Sequence, residues 1–209
     1  MRHLAILVAF PLLAATSKIV NFDQFRVGTA PPGWTVGRTS HGAPPRWEVR
    51  QDQSAPTPPY VLAQVSNDPT DDRFPVALLD GVTLRDGDLS VRIKPVAGRE
   101  DQGGGLVWRY RDEDNYYLLR ANALNKTVAV FRVQNGHRTA IVAGVKHEIP
   151  MNAWSILKVV ARGNRFQVYV DHRRVLEGVD NALTDSGRVG VATIADSVMY
   201  FDDFRVTPR

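Results

Sequence analysis

Two arginines, Arg109 and Arg120, stand in the run GGGLVWRYRDEDNYYLLRAN, residues 103–122, where a glycine triplet leads into two aromatic stretches joined by a short acidic turn. Alternation along an extended chain sorts such stretches into two faces. Leu106, Trp108 and Tyr110 share one side of the first, with Val107, Arg109 and Arg111 on the other. In the second, Tyr117, Leu119 and Ala121 oppose Tyr116, Leu118, Arg120 and Asn122. Further along, Leu157, Val159 and Ala161 alternate with Lys158, while Phe166, Val168 and Val170 alternate with Gln167 and Tyr169. Trp108 and Leu119 are therefore expected in a core, and Arg109, Arg120, Lys158, Gln167 and Tyr169 on one sheet surface. Planar hydrogen-bond donors beside an aromatic platform suit the hydroxyls of a sugar. The solvated outer face of a half-buried sheet carries the same pattern.

A second constellation is acidic. NFDQFRV (21–27) and YFDDFRV (200–206) echo one another in register. By parity Asp23 travels with Phe25 and Val27, and Asp202 with Val198, Tyr200, Phe204 and Val206, so both carboxylates are expected to point toward a core. A buried carboxylate must be paired, hydrogen-bonded or metal-bound. The expectation is one structural site joining terminal strands, held by calcium through oxygen ligands or by backbone or arginine hydrogen bonds.

Other chemistries find little support. His41, His137, His147 and His172 lack a paired zinc spacing. The glycines 103–105 precede a strand-like run, so they suit a bulge or a close backbone approach better than a phosphate loop. The turn Asp112-Glu113-Asp114-Asn115 has the composition of a solvated turn, and no nucleophile elbow is present.

The elements that must position these residues are strands. Short runs rich in Val, Ile, Phe, Tyr and Trp recur between Gly, Asn, Asp and Pro. They place strands near 20–27, 46–50, 60–66, 75–79, 88–95, 105–111, 116–122, 127–133, 138–144, 154–162, 165–171, 188–194 and 198–207. Hairpin signals lie at 112, 135, 163 and 171, and residues 28–59 read as a proline-rich loop region. The spacing predicts an all-β, two-sheet antiparallel β-sandwich of jelly-roll type.

The opening MRHLAILVAFPLLAATS reads as an export leader, residues 1–17, with cleavage after Ala15 or Ser17 and a single domain over 18–209. Its apolar run is too short for a permanent membrane span. A periplasmic or secreted location is expected, without disulfides because the chain has no cysteine. The net charge is +4, with scattered basic residues; HRR at 172–174 is too short for a nucleic-acid patch.

GGGLVWRYRDEDNYYLLRAN, WSILKVVARGNRFQVYVDHRRV and GRVGVATIADSVMYFDDFRV together resemble the concanavalin A-like lectin/glucanase superfamily, in particular laminin-G-like and 3-keto-disaccharide hydrolase-type domains of secreted bacterial proteins. The match covers roughly residues 74–207. It implies a concanavalin A-like jelly roll that recognises a carbohydrate or cell-envelope glycan through one sheet face. The family's arginine after its glycine-led strand falls on Arg109. Where the hydrolase-type domains carry glutamate and glutamine on the next strand, this chain has Leu118 and Arg120. Jelly-roll β-glucanases carry Glu-x-Asp-x-x-Glu, and none of Glu48, Glu100, Glu113, Glu148 and Glu177 is followed two residues on by Asp. Lectin-like binding is thus the leading expectation. A carbohydrate-active enzyme of the keto-disaccharide hydrolase or lyase type is the alternative, and an adhesion module without a small ligand is a third.

Overall fold

β-Branched and aromatic residues at every second position make strands here, and the computed structural model, which describes residues 16–209, contains no helix among them. In chain order the strands are β1 (Lys18–Val20), β2 (Trp34–Thr39), β3 (Trp47–Gln51), β4 (Tyr60–Gln64) and β5 (Phe74–Leu84). They continue with β6 (Gly87–Ala97), β7 (Gly103–Asp112), β8 (Asn115–Asn122), β9 (Thr127–Gln134) and β10 (His137–Lys146). The last are β11 (Ser155–Arg162), β12 (Arg165–Val170), β13 (Arg173–Val179), β14 (Gly187–Thr193) and β15 (Val198–Pro208). The leader segment lies outside the described residues, apart from Thr16 and Ser17.

The strands form two antiparallel sheets. One is eight-stranded, in the order β13-β12-β11-β6-β15-β4-β3, with β1 added against β15; the other is seven-stranded, in the order β10-β9-β8-β7-β14-β5-β2. Their facing sides share a core. β6 contributes Leu89, Val91 and Ile93, β11 contributes Leu157 and Val159, and the other sheet contributes Leu106, Trp108, Tyr117, Leu119 and Val191. Trp108 stacks on Tyr117 at 5.2 Å and meets the edge of Phe166 at 6.1 Å. The glycine triplet serves close approach, because a Cβ on Gly104 would meet Met199 Sδ at 2.7 Å from the opposite sheet. The two chain ends meet, but not through the echoed segments: Lys18–Val20, just ahead of the first echo, pair with Phe204–Val206, while Val27 bridges Val49 instead.

Three features depart from the sequence expectation. β2 lies within the stretch read as loop, and β13 in a stretch with no expected strand; each is an end strand of its sheet and carries polar residues that blur alternation. The expected strand at 20–27 is shorter, because the chain bends after Val20. Two bulges also reverse the parity of long strands. Arg109 has φ 50° and interrupts the β7–β8 register, while Asp203 has φ 48° and interrupts β15–β6. Beyond the first bulge, Trp108 stays in the core while Tyr110 turns to the outer face beside Tyr116, at 5.4 Å. In β15, Met199 and Phe201 point inward before the bulge, and Phe204 and Val206 after it. Tyr200, expected inside, is half-exposed on the outer face.

The seven-stranded sheet is also strongly curled. From β2 to β8 is four strand steps, about 19 Å in a flat sheet at ~4.8 Å per step. Yet Thr39 Oγ1 in β2 and Tyr116 Oη in β8 share a hydrogen bond of 2.7 Å. Similarly, the Arg138 guanidinium on β10 lies 4.8 Å from the ring centre of Phe74 on β5. The two rims of this sheet therefore face one another across its outer side. That side holds a second apolar cluster, with Val76, Leu78, Val107, Tyr116 and Leu118 all buried.

Candidate functional site

The five residues expected on one surface fall in three places. Arg109 is not on a binding face: it is 3% exposed and donates four hydrogen bonds to backbone carbonyls. These run from Nε and Nη2 to Arg85 O (3.1 and 2.9 Å), from Nη1 to Leu183 O (2.7 Å) and from Nη2 to Gly163 O (2.6 Å). The left-handed backbone at Arg109 is what swings the side chain into the end of the sandwich, where it ties three loops together. Burial pulls its pKa down. Arg120 lies on the outer side of the seven-stranded sheet, whereas Lys158, Gln167 and Tyr169 share the outer side of the eight-stranded one. The core thus separates Arg120 from the other three.

Curling makes the seven-stranded sheet's outer side a groove. Its mouth is a pocket of about 430 Å³ whose walls come from both rims. Thr39, Ser40 and His41 stand on the β2 side. Tyr116, His137 and Arg138 stand opposite, with Phe74 and Asp72 between and the acidic pair Glu113 and Asp114 at the lip. Arg138 is oriented by Asp72, at 2.8 Å, and by the faces of Phe74 and Phe131, the latter at 5.2 Å. Tyr116 is held by Thr39, and burial raises its pKa to about 12, so it stays a neutral hydroxyl.

Arg120 occupies the same face, with its guanidinium 5.1 Å from the centre of the Phe131 ring that Arg138 also meets. Its cross-strand neighbours are Gly105 and Ala129, too small to fill the space beside it. Its one hydrogen bond, to Thr127 Oγ1, is long at 3.4 Å, and its buried Nε has no partner. Burial lowers its pKa. Asp101 is near enough to attract it, but no ion pair forms among the described residues. That carboxyl is raised to about 6, chiefly by burial, and accepts a 2.5 Å bond from Asn122 Nδ2. An incompletely satisfied guanidinium beside aromatic rings is equipped to hydrogen-bond a polyol. Phe74 and Asp72 meet Arg138 only through the curl of the sheet, which the sequence does not display, whereas Phe131 and Asp101 neighbour Arg120 by ordinary strand adjacency and carry no mark of a site in the sequence. Tyr116 had already been assigned to Arg120's face.

Asp23 and Asp202 are both tied to the segment between β3 and β4. Tyr60 N donates to Asp23 Oδ1 at 3.1 Å, and Thr57 N donates to Asp202 Oδ2 at 2.9 Å. Asp202 Oδ1 also accepts from Asp203 N at 2.8 Å. Asp202 is fully buried, and its carboxyl is pushed up to about 6, mainly by desolvation. Backbone hydrogen bonds thus satisfy both carboxylates, but Asp23, expected to point into a core, is only half-buried. Among the described residues, no group of three or more His, Cys, Asp or Glu side chains is placed to hold a metal ion.

No family model matches the chain. Over 114 residues, 54% of its length, it is 31% identical to the levanase of Bacillus subtilis (strain 168), of which that stretch spans 16%. The solved carbohydrate binding module CBM66 from Bacillus subtilis matches with a TM-score of 0.64 and 23% identity, covering 87% of this chain and 99% of that one. Domain 4 of a GH43 extracellular arabinanase from Geobacillus stearothermophilus, in complex with arabinotriose, matches with a TM-score of 0.59 and 11% identity, covering 92% of each. The chain is an all-β, two-sheet antiparallel sandwich with the concanavalin A-like jelly-roll fold.

Proposed function

We propose that the protein is an exported glycan-binding domain that takes its ligand in the groove of the curled seven-stranded sheet. The observation that carries this reading is Arg120, a desolvated guanidinium with an unpartnered Nε, lying against Phe131 on the same face as the Arg138–Phe74–Tyr116 pocket. Such a face offers apolar rings to the C–H side of a sugar and fixed planar donors to its hydroxyls. The likeness to a carbohydrate binding module and to an arabinotriose-bound domain supports the ligand class. The likeness to a levanase makes fructans worth testing first. Export is supported by the leader-like first 17 residues and by the description of the arabinanase as extracellular.

A glycan array that includes levan and arabinan oligosaccharides, followed by titration calorimetry on the hits, tests the proposal. Arg138→Ala should weaken a hit by roughly 1–3 kcal/mol, the scale of hydrogen bonds to a charged group. A hit whose affinity ignores both Arg138→Ala and Arg120→Ala would place recognition elsewhere.

A further inference from the structure

We propose a second binding site on the opposite side of the molecule, specific for a sugar ring that carries an anionic group such as a uronate carboxylate. A depression of about 430 Å³ opens on the outer side of the eight-stranded sheet, lined by Ser90, Arg92, Lys158, Tyr169, His172 and Arg205 together with Asp203. Its architecture follows from register. Tyr169 pairs with Lys158, Lys158 with Ser90, and Ser90 with Arg205, so these four residues form one cross-sheet row over β12, β11, β6 and β15. Arg92 stands two residues along β6 on the same face. At ~4.8 Å per strand step, Lys158 and Arg205 flank Ser90 from about 10 Å apart, within reach of one small anion between them. Three basic side chains, Lys158, Arg92 and Arg205, therefore stand around one hydroxyl.

Charge on this face is not balanced internally. Asp88 is shared by Lys158 at 2.7 Å, Arg162 at 2.8 Å and Arg209 at 3.6 Å. Asp203 receives Arg92 Nε at 3.2 Å and the Thr57 hydroxyl at 2.7 Å, which leaves the terminal guanidinium nitrogens of Arg92 free of protein partners among the described residues. Exposed Arg205 makes no ion pair or side-chain hydrogen bond among those residues. Guanidinium groups with unspent planar donors match a carboxylate or sulfate in a bidentate manner.

Tyr169 supplies the ring-binding element. It is half-exposed, its hydroxyl donates to Gln167 Oε1 at 3.0 Å, and Lys158 Nζ sits 6.0 Å from its ring centre. A pyranose resting on Tyr169 would direct an acidic substituent toward Lys158, Ser90 and Arg205. Lys158, Gln167 and Tyr169 thus recover a role as a group, on a different sheet from Arg120.

Calorimetry with trigalacturonate, a sulfated disaccharide and neutral maltotriose, at low and physiological ionic strength, tests the site. Trigalacturonate or the sulfated sugar, but not maltotriose, should bind. Arg205→Gln and Tyr169→Ala should each weaken the acidic ligand by about tenfold, the loss of one charge-assisted or aromatic contact. Arg165→Gln, which removes an exposed charge outside the depression, should leave affinity within about twofold, as should Arg138→Ala in the groove. Both arginine variants alter exposed side chains, so an unchanged melting curve separates lost contact from lost fold. The site is refuted if neither acidic ligand binds, if maltotriose binds this face equally, or if Arg165→Gln costs as much as Arg205→Gln.

Discussion

Arg109 and Arg120 show how much one backbone angle decides. Both were assigned to a polar sheet face by alternation, and Arg120 occupies one. Arg109 adopts a left-handed conformation instead, so its side chain turns into the end of the sandwich and spends its donors on Arg85, Gly163 and Leu183 carbonyls. Arg109→Ala should therefore cost roughly 2–4 kcal/mol of stability, because three loops lose buried charged hydrogen bonds, while leaving glycan affinity within about twofold. Arg120→Ala should do the reverse, weakening glycan binding without the stability loss of Arg109→Ala, because it removes a buried donor that has no partner. Chemical denaturation and calorimetry on the two variants check the contrast. The facing of Trp108, Tyr117 and Leu119 was legible because Trp108 precedes the bulge and Tyr117 and Leu119 sit on the regularly paired strand opposite it. A bulge without a glycine at its left-handed position leaves no mark in the sequence, so Arg109 was not legible.

At the scale of elements, the meeting of the chain ends was legible but its register was not: Lys18–Val20, ahead of the shared motif, pair with Phe204–Val206, and of the two carboxylates Asp202 is buried while Asp23 is half-buried. What holds them is a segment with no alternation to read, residues 57–60, whose amides reach Asp23 and Asp202. A carboxyl raised to about 6 in the fold, from 3.8, binds a proton more tightly when folded than when unfolded. The stability it gives is fully present below about pH 4 and is lost as pH rises through about 6, a span worth roughly 3 kcal/mol. Denaturation of wild type and Asp202→Asn across that range isolates the effect, and the wild-type advantage should shrink as pH rises. The same melting curves should be indifferent to added calcium or chelator, since backbone amides already occupy the inner oxygens. A chelator-sensitive melting temperature would instead assign the pair to a metal. The edge strands β2 and β13 were illegible for a related reason: half-exposed strands with Gly37, Arg38, Arg173 and Glu177 carry too weak an alternation to separate from loop.

On the scale of the whole molecule, the two-sheet sandwich was legible from strand number and spacing, but curvature was not. Curvature makes the candidate groove: it brings Thr39 to Tyr116 and Arg138 to Phe74 across strands that a flat sheet would keep about 19–24 Å apart. The two-sheet architecture divides the polar residues between two opposite faces, one aromatic and incompletely satisfied, the other basic. The proposed function places the glycan in the groove of the seven-stranded sheet. An amide-resolved NMR titration with a bound oligosaccharide from the array tests it most directly. Groove binding requires shifts concentrated at Thr39–His41, Phe74, Tyr116, Phe131 and Arg138, with β11 and β12 undisturbed by a neutral sugar. Shifts confined to β11, β12 and Arg205, with the groove amides unmoved, would contradict it.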